Sequence, residues 1–146
     1  NCIEGVGLLT DDGLKLVTNW PKQHLENGRK KNTDTNRMFK RVVRVLKKIN
    51  LKAEEEKVLL LEHGAVPSYL IECLCWNAPD FCFVDSLYDS VENVLEFLIR
   101  NIENQQCLNW YEVNGKKALF GDFQKWDIRD AYVFVNEAWD YIGFTD

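Results

Sequence analysis

A chain of 146 residues, 46% of them hydrophobic, is long enough for one globular core and too short for two ordinary domains. No apolar run approaches the roughly 18 residues that cross a bilayer, and no charged-then-apolar leader opens the sequence, so it reads as soluble and cytoplasmic. The net charge of −5 is unevenly held: Trp20 to Lys52 carry eleven Lys or Arg against Glu26 and Asp34, a net of +9 that leaves −14 elsewhere.

The sequence opens on Asn1 and its only methionine is Met38, which implies that something upstream has been removed. Residues 1–18 read as a hairpin, Gly5 to Thr18 alternating loosely around the turn tripeptide Asp11-Asp12-Gly13. Residues 19–33, with Trp20-Pro21 and Asn27-Gly28, read as a polar loop. A helical domain is expected over 34–146. It starts with a basic helix, Arg37 to Lys48, preceded by the cap candidates Thr33, Asp34 and Thr35. Phe39, Val42, Val43, Leu46 and Ile49 recur at helical spacing and predict one buried stripe. At 100° per residue Lys40, Arg44 and Lys47 fall in one sector beside that stripe, while Arg41 and Lys48 lie opposite, toward solvent.

The charged segment Ala53 to His63 predicts a short helix ended by Gly64. Pro67 suits a first helical position, and the nearly apolar Ser68 to Trp76 predicts a helix through the core. Asp89 with Glu92 resembles a capping box for a helix with Val91, Val94, Leu95, Leu98 and Ile102 on its inner face. Asn114-Gly115 predicts a second hairpin near 109–120. Asp127 caps a last helix, through Ala131, Val135, Ala138, Trp139 and Ile142 to Gly143. The five tryptophans read as core or hinge packing. The fold class is therefore mostly α, a helical bundle with two small β-hairpins in a single domain.

Five cysteines, Cys2, Cys73, Cys75, Cys82 and Cys107, are odd in number and mostly set in apolar sequence, which suits reduced intracellular thiols. Zinc held by Cys73, Cys75, Cys82 and His63 is disfavoured, because a Cys-x-Cys step on a helix points its sulfurs to different faces. No metal ligand and no catalytic residue is assigned. Segregated positive charge implies an anionic partner, against the plainer reading of a solvated basic helix. Ser68 and Tyr69 stand at the first turn of the core helix, where backbone N–H groups and the dipole favour phosphate. On composition alone, capping by Ser68 and packing by Tyr69 is the stronger reading of that pair.

Several runs carry a resemblance. They are Asn19-Trp20-Pro21-Lys22-Gln23-His24-x-Glu26-Asn27-Gly28, Lys31-Asn32, Thr35-x-x-x-Phe39-Lys40 and Val43-Arg44-Val45-Leu46-Lys47. Val66-Pro67-Ser68-Tyr69-Leu70-Ile71-Glu72-Cys73-Leu74 and Ala138-Trp139-Asp140-Tyr141-x-Gly143-Phe144 complete the set. Together the runs cover almost the whole chain and resemble the bacterial cGAS/DncV-like nucleotidyltransferases. The resemblance implies the C-terminal helical half of an oligoadenylate-synthase-like fold, from enzymes that make cyclic oligonucleotide second messengers in antiphage defence.

In such enzymes an α/β half carries the Gly-Ser loop and the acids that hold Mg2+. That half is expected to be missing here, so the chain alone is expected to be inactive. By the same resemblance Arg44 and Lys47 reach the donor triphosphate, Ser68 contacts phosphate and Tyr69 stacks on a base, with Lys40 a further phosphate candidate. His24, Asn27, Lys31 and Asn32 either shape an acceptor pocket or order a loop. The implied partners are nucleoside triphosphates and the missing catalytic half. A non-catalytic nucleic-acid-binding or interaction module using residues 20–52 is the alternative.

Overall fold

The structure, a computed structural model, describes residues 6–9, 16–55 and 65–144. Strands β1 (Val6–Leu9) and β2 (Leu16–Asn19) pair antiparallel, with Leu8 opposite Val17. The Asp11-Asp12-Gly13 turn lies outside the described residues. Five α-helices follow among those described: α1 (Pro21–Asp34), α2 (Met38–Glu55), α3 (Ser68–Asn77), α4 (Leu87–Glu103) and α5 (Ile128–Ile142).

The first correction is α1, which occupies the segment expected as a polar loop. Pro21 takes the first helical position, where its missing N–H costs nothing. The helix lacks an apolar stripe, so sequence periodicity gives no sign of it. Tertiary contacts hold it instead: Gly28 is buried, where an added Cβ would touch Val113, and Lys31 is buried beside it.

A tight turn then reverses the chain, with Asn36 and Arg37 both at positive φ. The Thr35 hydroxyl donates to the Lys31 carbonyl at 2.8 Å and accepts from Phe39 N at 3.0 Å. Asn32 Oδ1 accepts from Lys40 N at 3.1 Å. Thr35 and Asn32 thus satisfy the open N–H groups of α2, which begins at Met38, and weld α1 to it.

All five residues of the expected α2 stripe are buried. Burying each such side chain stabilises by about 1.5–3 kcal/mol relative to exposure. The helix runs on to Glu55, so the separate helix expected from Ala53 is continuous with α2 as far as described. Residues 56–64, including His63, lie outside the described residues. The core helix α3 is capped by Pro67 without a side-chain hydrogen bond, so Ser68 does not serve as the cap.

For α4 the cap is Ser86, not Asp89: its hydroxyl oxygen accepts from Asp89 N at 3.1 Å, which starts the helix at Leu87. The expected inner face of α4 is buried throughout. Asp127 and Asp130 form a reciprocal capping box on α5, and Gly143 at φ +96° ends it.

Cys73 and Cys75 are both buried, because α3 lies among neighbours on more than one side. Burial pushes the Cys73 thiol up to about 12 and that of Cys75 up as well. Both are therefore neutral core groups at physiological pH.

The hairpin near 109–120 contracts to a single bridge, Tyr111 to Ala118, flanked by Glu112 N to Lys117 O at 2.8 Å and Leu119 N to Trp110 O at 3.0 Å. Glu112, Val113 and Asn114 are buried in succession, a pattern incompatible with the in-out alternation of a half-exposed ribbon.

Candidate functional site

Five of the expected site residues divide between two cavities that share no lining residue: Asn32, Lys40 and Arg44 in one, His24 and Tyr69 in the other. The first is a basic groove of about 590 Å³ between α1 and α2, lined by Arg29, Asn32, Thr33, Arg37, Lys40, Arg41 and Arg44. No carboxylate lines it. Arg41, expected on the solvent side of α2, belongs to this groove because α1 folds back alongside and supplies a second wall. Arg29, Asn32 and Thr33 sit roughly 80–180° around α1 from His24, so the groove opens on a different sector from the second cavity.

That second cavity, about 980 Å³, is aromatic with a polar end. Trp20, His24, Tyr69, Phe123 and Trp126 form its apolar lining, with Glu112, Asn114, Lys117 and Gln124 as polar wall. The start of α3 delivers Tyr69, α1 and its N-cap deliver His24 and Trp20, and the 110–126 loop delivers Glu112, Asn114, Lys117, Phe123, Gln124 and Trp126. His24 and Tyr69 stack with ring centroids 5.4 Å apart and planes 19° apart. Trp126 tilts toward Tyr69 at 6.1 Å and is anchored by its own Nε1–H to the Leu119 carbonyl at 2.8 Å. Tyr69 remains 37% exposed, so part of the ring is open for contact. The cavity gives Trp20 and Trp126 a wall position that the core-packing expectation did not.

Hydrogen bonds hold the polar end. Tyr69 donates to Glu112 Oε1 at 2.6 Å, and Asn114 Nδ2 donates to the same oxygen at 3.0 Å. Burial first, then the bond to Glu112, raise the Tyr69 hydroxyl above its usual range, so it stays a donor. His24 Nε2 lies 3.5 Å from Glu72 Oε1 on α3, while its buried Nδ1 has no hydrogen-bond partner among the described residues.

The four residues expected around an acceptor pocket are scattered. Only His24 lines the aromatic cavity. Asn27 Nδ2 donates to the Val113 carbonyl at 2.8 Å and braces the loop from behind. Lys31, 9% exposed, spends its ammonium on the Ala78 carbonyl at 2.6 Å and Asp80 at 2.8 Å, with the Phe83 ring 5.2 Å away. Asn32 caps α2 and lines the groove.

Of the phosphate candidates, Lys40 and Arg44 are in the groove, and Lys47 and Ser68 line neither cavity. Lys47 is close enough to Cys75 of α3 to act on its thiol electrostatically. Sequence reasoning missed Glu112, Lys117 and Gln124. The one available signal was a carboxylate set in the otherwise apolar run Trp110 to Val113.

Among the described residues no helix is long and apolar enough to cross a membrane. Residues 26–143 match the family model of the cGAS/DncV-like nucleotidyltransferase C-terminal helical domain. A cyclic dipyrimidine nucleotide synthase CdnE of Legionella pneumophila is 36% identical over 141 residues, which cover 96% of this chain and 46% of that protein. The solved CdnE cyclic dinucleotide synthase of Elizabethkingia meningoseptica, with GTP and Apcpp, superposes at TM-score 0.84 and 30% identity over 95% of this chain and 50% of its own. The Rhodothermus marinus CdnE c-UMP-AMP synthase with Apcpp and Upnpp gives 0.80 and 29% over 99% and 48%. This chain thus spans about half the length of the relatives it matches. Matched along nearly its whole length in sequence and in fold, the chain belongs to the cGAS/DncV-like nucleotidyltransferase family, whose C-terminal helical domain it carries.

Proposed function

We propose that the chain forms the helical wall of a nucleotide cleft in an enzyme that joins nucleoside triphosphates into cyclic oligonucleotide messengers for antiphage defence. The observation that carries this reading is Tyr69, a partly open ring at the start of α3 in an aromatic cavity, in a fold shared with synthases solved with nucleotides. Tyr69 stacks on the base, a contact worth about 1–3 kcal/mol. Ser68, beside it at the α3 N-terminus, and Lys47 of α2 serve the phosphates in this reading. Lys40 and Arg44 line the separate α1–α2 groove, and the resemblance alone carries them into this reading.

The reaction class uses Mg2+ to bind the triphosphate and activate the attacking hydroxyl. Among the described residues no group of three or more His, Cys, Asp or Glu is placed to hold a metal ion. The reading assigns the metal to the catalytic α/β half that the resemblance implies, outside this chain. The 146-residue chain supplied with magnesium and labelled nucleotides is then expected to make no product, and clear product would sink that assignment. ATP and GTP are expected to bind the chain, with Tyr69→Ala weakening the affinity about 5- to 150-fold. A Tyr69→Ala chain that binds as tightly as wild type would falsify the stacking role.

The basic groove favours a second reading, a nucleic-acid-binding module. Arg29, Arg37, Lys40, Arg41 and Arg44 line one groove without an acid, an arrangement suited to a phosphate backbone. Single-stranded RNA binding with a steep salt dependence and little dependence on Tyr69 would favour this reading over the first.

A further inference from the structure

Glu112 is an unusual residue for the wall of an aromatic cavity. It is 5% exposed, yet it lies in a stretch the chain buries only by abandoning the hairpin alternation. A carboxylate so enclosed is costly unless donors surround it. Here they do. Oε1 accepts from Tyr69 Oη at 2.6 Å and Asn114 Nδ2 at 3.0 Å. Oε2 accepts from Gln124 Nε2 and has Lys117 Nζ at 3.9 Å.

These donors are themselves fixed. Asn114 Oδ1 accepts from Lys116 N at 2.8 Å and Lys117 N at 3.0 Å, which closes the turn. Gln124 Nε2 also donates to the Ala118 carbonyl at 2.8 Å. The turn in turn rests on α1 through Asn27 and the Val113 carbonyl at 2.8 Å. With both oxygens engaged, the carboxylate is placed to hold a neighbour and not to do chemistry. That neighbour is Tyr69, whose partly exposed ring lines the cavity between His24 and Trp126.

We propose that Glu112 is the positioning residue for Tyr69: by accepting the hydroxyl hydrogen and tying it to Asn114 and Gln124, it holds the ring in the plane on which a nucleobase stacks. The proposal rests on Tyr69 being the stacking residue and deepens that reading. The gain is preorganisation, because a ring already held in its binding orientation loses less freedom when a ligand arrives. It also links the 110–126 loop to nucleotide affinity although only part of that loop borders the cavity.

The test is ATP and GTP affinity for the 146-residue chain and its Tyr69→Ala, Tyr69→Phe, Glu112→Gln and Tyr69→Phe/Glu112→Gln variants, with ring-flip rates of Tyr69 by NMR. Phenylalanine keeps the stacking ring and deletes only the hydroxyl. Glutamine keeps the shape but turns an amide donor toward the Asn114 or Gln124 donors. Each single change is expected to weaken binding about three- to tenfold. The double variant is expected to be no weaker than the worse single one within about twofold, since both remove one contact. Ring flips are expected to speed up in Glu112→Gln.

A general loss of stability would instead make the two losses add and leave the wild-type ring dynamics in the folded fraction, which overturns the proposal. Unchanged affinity in both Tyr69→Phe and Glu112→Gln, with Tyr69→Ala impaired, overturns the positioning role and leaves stacking intact. A wild-type chain that binds neither nucleotide, or a Tyr69→Ala chain that binds normally, overturns the nucleotide reading and this proposal with it. If Glu112→Gln does not fold, Tyr69→Phe with Gln124→Ala decides the matter by the same non-additivity.

Discussion

The basic groove and the aromatic cavity are built in opposite ways. The groove comes from one stretch of sequence, Arg29 to Arg44, folded back on itself at the Asn36-Arg37 turn. The cavity gathers residues from Trp20 to Trp126, and His24, Tyr69, Glu112, Asn114, Gln124 and Trp126 among them are held by hydrogen bonds or ring contacts. Local construction leaves side chains such as Lys40 and Arg44 directed by helix geometry alone. Distributed construction ties Tyr69 to several elements at once, because its hydroxyl joins a network rooted in Glu112. A rim of cations suits an extended polyanion, whereas a ring held among other rings suits a single flat ligand.

The largest effect should come from the element that supports both regions. Phe39→Ala removes a fully buried ring of α2 that meets Phe83 edge-on at 6.1 Å, and should cost about 3–5 kcal/mol of unfolding free energy in denaturant titration. Groove and cavity should lose function together at the same denaturant concentration. Separate losses would mean that they belong to different cooperative units.

Lys31→Met sharpens the comparison next. It deletes a buried ammonium that joins α1 to the Ala78 carbonyl and Asp80, but Asp80 is 53% exposed and can be resolvated. The expected loss is about 1–2 kcal/mol of stability with little change in nucleotide affinity at saturating fold. A large drop in affinity at unchanged stability would return Lys31 to the ligand pocket that the resemblance suggested.

The smallest effect is expected from the groove. Arg41→Gln and Arg44→Gln should each leave the melting temperature nearly unchanged. Each should also lower the slope of log affinity against log salt for single-stranded RNA by about one. Nucleotide binding at Tyr69 should survive Arg41→Gln. If Arg41→Gln abolished it, the two cavities would be acting as one site.

Legibility in the sequence followed locality. The stripe on α2, the inner face of α4 and the Asp127 cap of α5 were all readable, because helical period and capping are set by residues within a few positions of one another. Helix α1 was not, since its polar sequence gains its burial from Asp80, 49 positions beyond Lys31, and from Val113, further still beyond Gly28. The Asn114-Gly115 turn was foreseen as the tip of a ribbon, but Glu112 turning inward to Tyr69 reduced the ribbon to one bridge. Among the candidate site residues, type was readable and grouping was not. A lysine at 31 and one at 40 look alike in sequence, and only packing makes the first a buried tether and the second a groove cation.

The sequence by itself therefore determined the mostly helical class, the basic stretch and the family, through periodicity, charge and ordered short motifs. Tertiary structure alone decided which cations face a common groove, which aromatics line a common cavity and which carboxylate holds Tyr69. The reason is physical: a helix is specified by neighbours in the chain, while a cavity is specified by side chains whose separation in sequence says nothing of their separation in space.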